Sequence, residues 1–370
     1  MKRCTRCLMP DSRPDTRFED GVCSACIAYD ARKEIDWEAR KDALGQLLDQ
    51  RAVPGQEFDC IVPSSGGKDS TYQVVTLLEL GICPLVVTAT TCHLTPIGRR
   101  NIDNLARLAT TIEVTPNRDI RAKINRLALE IIGDISWPEH VLIHTVPFKI
   151  AKQMGIPLVM YGENPLNQYG SPDEVRQNGS RMTRQWVSEF GGFLGMRPSD
   201  FVGMEGITER DMSDYMPIDG VEDIDVRFLG YYLPWDSHHN AKVAAKAGME
   251  QVLPTEVNWW KHENLDNAQT IIHDFIMLRK YGYGRACAQM SVDIRSGLLD
   301  RAPALYSLLP PREQGLPNYS NGVRTTEALK RIGLSLGGFY DICSQFTARR
   351  QRSDAIFETQ YQEARADGSR

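Results

Sequence analysis

Pro63-Ser64-Ser65-Gly66-Gly67-Lys68-Asp69-Ser70 follows the apolar run Cys60-Ile61-Val62 and leads directly into a helical pattern over residues 69–80. A strand that ends in paired glycines and opens a helix builds an anion site. Glycines let backbone N–H groups approach phosphate oxygens with no Cβ in the way, and the helix start adds its unpaired N–H groups and positive end. Ser64, Ser65 and Ser70 supply hydroxyl donors, and Lys68 neutralises charge. The string is not a Walker A loop: Asp69 stands where Ser or Thr belongs, and no glycine occupies the matching upstream position.

Outward from this loop, short apolar runs at 60–64, 84–90, 110–115 and 157–162 alternate with helical stretches at 69–80, 99–109, 119–133 and 140–154. Each run reads as a strand buried on both faces, and the alternation implies right-handed crossovers and a parallel sheet. Ligands of such sheets bind at the carboxyl ends of the strands. On that rule Thr88, Ala89 and Thr90 would lie near a nucleotide base or ribose, and Tyr161-Gly162-Glu163-Asn164 would close the site, with Glu163 a candidate for Mg²⁺. Residues 165–226 are rich in Gly, Pro, Asp, Arg and Met without clear period, which predicts an insertion covering the active face. A further strand-to-helix step follows in RFLGYYLPW and DSHHNAKVAAKAGM, and the remainder reads as largely helical.

Composition narrows the class. A chain of 370 residues, 42% hydrophobic and 25% charged, can bury a large core. Its formal charge of −5 argues against an extended nucleic-acid footprint. There is no apolar run long enough to span a bilayer and no apolar segment behind MKRCTRC, so the expected location is cytoplasmic. Cys4-x2-Cys7 and Cys23-x2-Cys26 have the two-plus-two spacing of a zinc ribbon, with Zn²⁺ in a closed, structural tetrathiolate; an iron–sulfur cluster is the competing occupant. From Asp36 to Gln50, Trp37, Leu44, Leu47 and Leu48 recur at helical spacing.

The SGGKDS string resembles the pyrophosphate loop of the ATP-pyrophosphatase superfamily. Taken with CTRCLMPDSRP…CSAC, TCHLTPIGRRNIDNL, YGEN, NWWKHENLDNAQTIIHDF and RKYGYGRACAQMSVDIR, the chain resembles the N-acetyl sugar amidotransferase family of surface-polysaccharide biosynthesis over nearly its whole length. The resemblance implies an α/β, Rossmann-like (HUP-like) ATP-pyrophosphatase domain over 56–255 with insertion 165–226. A Cys4 zinc ribbon at 1–35, a linker helix at 36–55 and a helical region at 256–370 flank it. It further implies ATP and Mg²⁺ as cofactors and Lys68 and Asp69 at the catalytic centre, with Ser64 to Ser70, Thr88, Thr90, Gly162, Glu163 and Asn164 around the nucleotide. The expected reaction adenylates the N-acetyl oxygen of a nucleotide-linked (UDP) sugar, and ammonia then replaces it to leave an acetamidino group, AMP and pyrophosphate. No glutaminase signature is present: Lys2 rather than Cys follows Met1, and Gly81-Ile82-Cys83-Pro84-Leu85 lacks the second glycine of a nucleophile elbow. A separate glutaminase or ammonia-channel subunit is therefore the expected partner.

Trp260, Lys261, Asn264 and Arg285 are candidates for the sugar or uracil pocket and for phosphate contact, with Lys280 an alternative to Arg285. The plainer reading of residues 259–264 is a helix start with buried tryptophans, and of Asp293 and Arg295 a structural ion pair. His273, His238 and His239 are acid–base candidates without a geometry to support them. The rival function is a tRNA thiolase, which needs reactive cysteines at the active face and a basic RNA surface; Cys92 alone is suitably placed, and the charge balance is acidic. A binding module with a decayed loop is the non-enzymatic rival, and the intact Lys68-Asp69-Ser70 speaks against it.

Overall fold

The structure, a computed structural model, describes residues 1–13, 16–162, 180–182, 191–218, 223–254, 257–348 and 362. Strands β1 (Phe18–Glu19) and β2 (Val22–Cys23) form an antiparallel hairpin, tightened by Gly21 at φ +82°. Helix α1 (Ser24–Ala31) follows at once, then α2 (Trp37–Arg51), whose Asp36 carboxylate caps the Ala39 N–H. Leu44 and Leu47 seat α2 against the main sheet.

That sheet has five parallel strands in the order β5-β4-β3-β6-β7. They are β3 (Cys60–Pro63), β4 (Pro84–Ala89), β5 (Thr111–Val114), β6 (Leu158–Tyr161) and β7 (Asp225–Phe228). Between them run α3 (Lys68–Glu79), α4 (Pro96–Leu108), α5 (Arg118–Ile132), α6 (Trp137–Ile143) and α7 (Val146–Met154). The chain leaves β3 toward β4 and β5, then returns to place β6 on the other side of β3. Strand order therefore reverses beside the loop after β3, the position where such sheets open a crevice.

Alternation along the strands feeds two cores. Ile61, Leu85, Val87 and Val159 face α5, α6 and α7; Cys60, Val62, Val86, Leu158 and Met160 face α2, α3 and α4. The edge strand β5 departs from the expected burial on both faces. Its Glu113 is partly open and pairs with Arg99, as an edge with no neighbour allows. The stretch expected as one helix over 140–154 is two, because Pro147 lacks an N–H and its ring cannot be accommodated inside a continuous helix.

The described part of the insertion packs into the core. Phe201, Ile207, Met212 and Tyr215 are buried in the core beside Trp137 and Val141, and the Trp137 indole donates to the Phe193 carbonyl at 2.9 Å. Beyond β7 come a single turn at Leu229–Tyr232, α8 (Ser237–Lys246), α9 (Thr270–Tyr281), α10 (Arg285–Arg295), α11 (Thr325–Arg331) and α12 (Leu336–Phe346). A small hairpin of β8 (Tyr319–Ser320) and β9 (Val323–Arg324) interrupts this helical part. Residues 257–264 form turns and not the start of a helix. Among the described residues no helix is long and apolar enough to cross a membrane.

Helix α10 joins the first residues of the chain to the later ones. Tyr283, Ala286, Cys287 and Met290 share a core with Leu8, Met9, Ala25 and the four N-terminal cysteines. Leu8 N–H donates to Ser291 Oγ at 3.2 Å, and Arg301 reaches the Cys4 and Cys7 carbonyls.

Candidate active site and metal centre

A cavity of about 420 Å³ opens at the strand-order reversal, lined by Pro63 to Ser70, by Val87, Ala89 and Thr90 of the second strand end, and by Tyr161 and Gly162 of β6. Its far wall comes from His262 to Asn267, Thr270, His273 and Arg285. The loop is shaped by Gly66, at φ +82°; a Cβ there would lie 2.9 Å from the Ile102 backbone nitrogen, so only glycine fits against α4. Gly67 precedes the first turn of α3, and the first helical bond runs from Thr71 N–H to the Gly67 carbonyl at 3.0 Å. The N–H groups of Lys68, Asp69 and Ser70 thus lie in the turn that has no intrahelical acceptor.

Lys68 is buried and bridges two carboxylates, Asp69 at 2.6 Å and Glu263. Asn240 of α8 holds the other side of Asp69, Nδ2 to Oδ1 at 2.9 Å. Burial alone would raise the Glu263 carboxyl, but Lys68 outweighs it and keeps the pKa below the ordinary value. The loop lysine and a carboxylate 195 residues later are thereby locked into one wall. Asn264, at φ +57°, donates to Asn258 and Asp274, and Arg285 pairs with Asp274 at 2.7 Å.

A second titratable group sits deeper in the same cavity. His273 Nδ1 lies 2.9 Å from Asp134 Oδ1, and His140 Nδ1 lies 3.8 Å from the other oxygen. The two imidazoles meet edge to face at 5.9 Å. Burial favours the neutral acid at Asp134, yet the His273 charge and hydrogen bond prevail and hold its pKa at about 2. Glu139 is raised by burial and accepts from Cys92 N–H and Asn125 Nδ2. Asp266, backed by Gly98, is pushed up to about 6 by burial.

Several candidates fall elsewhere. Thr88 is buried on the opposite face of β4 from Val87 and Ala89 and does not line the cavity, whereas Thr90, past the end of the strand, does. Lys280, in the last turn of α9, donates to the Ile132 carbonyl at the end of α5 at 2.9 Å and does not line the cavity. Trp260 and Lys261 line a separate outer groove, where the Trp260 indole donates to Asp293 at 3.1 Å. Asp293 also takes Trp259 and His238, while Arg295 reaches Cys7 Sγ at 3.9 Å, so these two do not form the expected ion pair. Glu163 and Asn164 lie outside the described residues. Asp134, Glu139, His140 and Asp266 carry no sequence signal of their own; only folding brings them together.

Cys92 is buried, and burial raises its thiol to about 11, which leaves little thiolate for sulfur chemistry.

The four N-terminal cysteines converge as their spacing predicts. All four sulfurs lie within 4.8 Å of one another, with Cys4–Cys26 at 3.9 Å and Cys7–Cys23 at 3.6 Å. Zn–S bonds of about 2.3 Å in a tetrahedron require S···S separations of about 3.8 Å, so the set fits one zinc ion. Thiolates that each bound a different iron of a cluster would be spread more widely. Backbone N–H groups of Arg6, Cys7 and Cys23 point at Cys4 Sγ at 3.3–3.4 Å, as thiolate ligands require.

Residues 256–364 match the family described as LPS biosynthesis protein WbpG-like, C-terminal domain. The matched stretch holds α9 to α12 and the cavity wall with Glu263, Asn264, His273 and Arg285. The match supports the resemblance to the N-acetyl sugar amidotransferases of surface-polysaccharide biosynthesis. No curated protein matches the chain.

Proposed function

From a C-terminal region of the WbpG-like lipopolysaccharide-biosynthesis kind, we propose that the chain is an ATP-dependent amidotransferase acting on an N-acetylated nucleotide sugar in surface-polysaccharide biosynthesis. The observation that carries this reading is the Lys68–Glu263 pair, which makes one cavity from a phosphate loop and the family-matched segment. A polyanion entering beside Lys68 meets Asp69 and Glu263, so it must arrive with a divalent cation. Asp69 and Glu263 offer the hard oxygens that Mg²⁺ prefers, and Mg²⁺ bound there would neutralise phosphate charge. The loop N–H groups and Lys68 would hold the leaving pyrophosphate.

An amide oxygen is a poor leaving group until it is adenylated. Its attack on the α-phosphorus expels pyrophosphate and leaves an O-adenylyl imidate. Ammonia then adds to the imidate carbon and AMP departs, giving an amidine. Nothing in the chain has the look of a glutaminase, so a separate ammonia-supplying subunit belongs to the proposal. The raised Cys92 thiol weighs against the thiolase alternative.

The test incubates the purified protein with Mg-ATP, ammonium and a panel of UDP-linked N-acetylated sugars. AMP and pyrophosphate formed with one sugar, together with the small mass decrease of exchanging oxygen for NH, is the expected result. Response to bulk tRNA but to no sugar would replace this reading with the thiolase.

A further inference from the structure

We infer that His273, held by Asp134, is the proton acceptor for the nitrogen nucleophile in the second half of the proposed reaction. The inference rests on that reading of the site and adds the group it lacks. Ammonia attack forms a C–N bond at the imidate carbon. The added nitrogen arrives as –NH3+ and sheds a proton so that its lone pair can expel AMP as the C–O bond breaks; a base beside it that takes this proton speeds the step.

Among the described cavity groups Asp266, at about 6, and His273 are able to do so, and of the two only His273 is an imidazole oriented by a carboxylate. Asp69 and Glu263 are committed to Lys68 at the phosphate end. His262 stands beside Lys68 and is lowered to about 4, first by burial and then by that charge, which makes it a weak base. Glu139 is held toward its neutral form and is occupied by Cys92 N–H and Asn125. His140 is lowered by burial. His273 differs. Its Nδ1 is fixed on Asp134 at 2.9 Å, which leaves Nε2 as the accepting nitrogen, and Asp134 is itself anchored by the Ser136 N–H at 2.8 Å. This is the arrangement in which a carboxylate orients an imidazole and stabilises the imidazolium that forms. The charged groups facing the pair are His140, Asp274, Arg285 and, toward Asp134, Lys280. Burial pulls the His273 pKa down, and Asp134 more than restores it.

The assay above, run on the full chain with UDP-linked N-acetylated sugars, separates the two half-reactions. In His273→Gln, ammonium-dependent amidine formation is expected to fall about 10²- to 10⁴-fold. Sugar-dependent exchange of labelled pyrophosphate into ATP should stay within about tenfold. Imidazole added to His273→Ala should restore part of the amidine rate. In Asp134→Asn the acidic limb of the kcat/KM profile should move to lower pH, since the carboxylate that raises the imidazole is gone. Equal loss of both half-reactions, or an unmoved limb, overturns the assignment. If His273→Gln fails to fold, the Asp134→Asn profile decides. Amidine made at the same rate by His273→Gln and the unaltered protein defeats this inference alone; no amidine from the unaltered protein defeats the proposed function with it.

Discussion

On the proposed reading Lys68 is the residue on which phosphate binding turns, because it is the one loop cation and it spans two carboxylates. Lys68→Ala should abolish sugar-dependent pyrophosphate release, and normal turnover in that variant would refute the loop's role. Asp266 makes a different point. Its carboxyl is raised to about 6 by burial, so folding favours its protonated form; the associated stability is complete below about pH 3.8 and is lost as pH rises through 6. Asp266→Asn is therefore expected to stabilise the free protein at pH 8 by on the order of 1–3 kcal/mol and to do little at pH 4. Urea unfolding at the two pH values checks this, and an equal gain at both would contradict it.

At the scale of elements, what the sequence made legible was what depends on local chemistry. Strand, glycine pair and helix around 60–80 are read from period and turn residues, and the two CxxC pairs from ligand spacing. Thr88 lies within β4, where alternation turns it away from the side of Val87 and Ala89, while Thr90 lies past the strand end, where that period no longer applies. The Asp134–His273 pair was invisible because 139 residues separate its members and only tertiary packing joins α9 to the turn before α6. One contact between elements is unusually tight. A Cβ on Gly98 of α4 would come 2.6 Å from Asp266 Cα, where the 265–267 segment crosses the helix. Gly98→Ala should push that segment outward and cut pyrophosphate release at least tenfold while the protein retains its zinc. Activity within twofold of normal would mean that the cavity wall tolerates the shift.

Across the whole molecule, α10 carries the four-cysteine module on one side and the cavity on the other. Arg285 at its start lines the cavity, Gln289 accepts from Trp259 N–H at 2.6 Å, and Ser291 holds Leu8. A tetrathiolate site that loses its metal leaves four thiols without the bonds that order the knuckle, and modules of this size seldom stay folded. Chelation, or Cys4→Ser, should release one zinc per chain. It should also lower the midpoint of thermal unfolding and sharply reduce the proposed amidotransferase activity, although none of the four cysteines lines the cavity. Calorimetry and metal analysis on the same sample test the coupling, and an active, zinc-free, equally stable protein would refute it.

The shared core of the first thirty residues and α10 also sets a timetable. During synthesis the cysteine knuckle emerges well before α10. Leu8, Met9 and Ala25 must nevertheless wait until Tyr283, Ala286 and Met290 have been translated before they are covered. Until then the apolar side of the knuckle has nothing to cover it. That interval is when a holding chaperone would matter most.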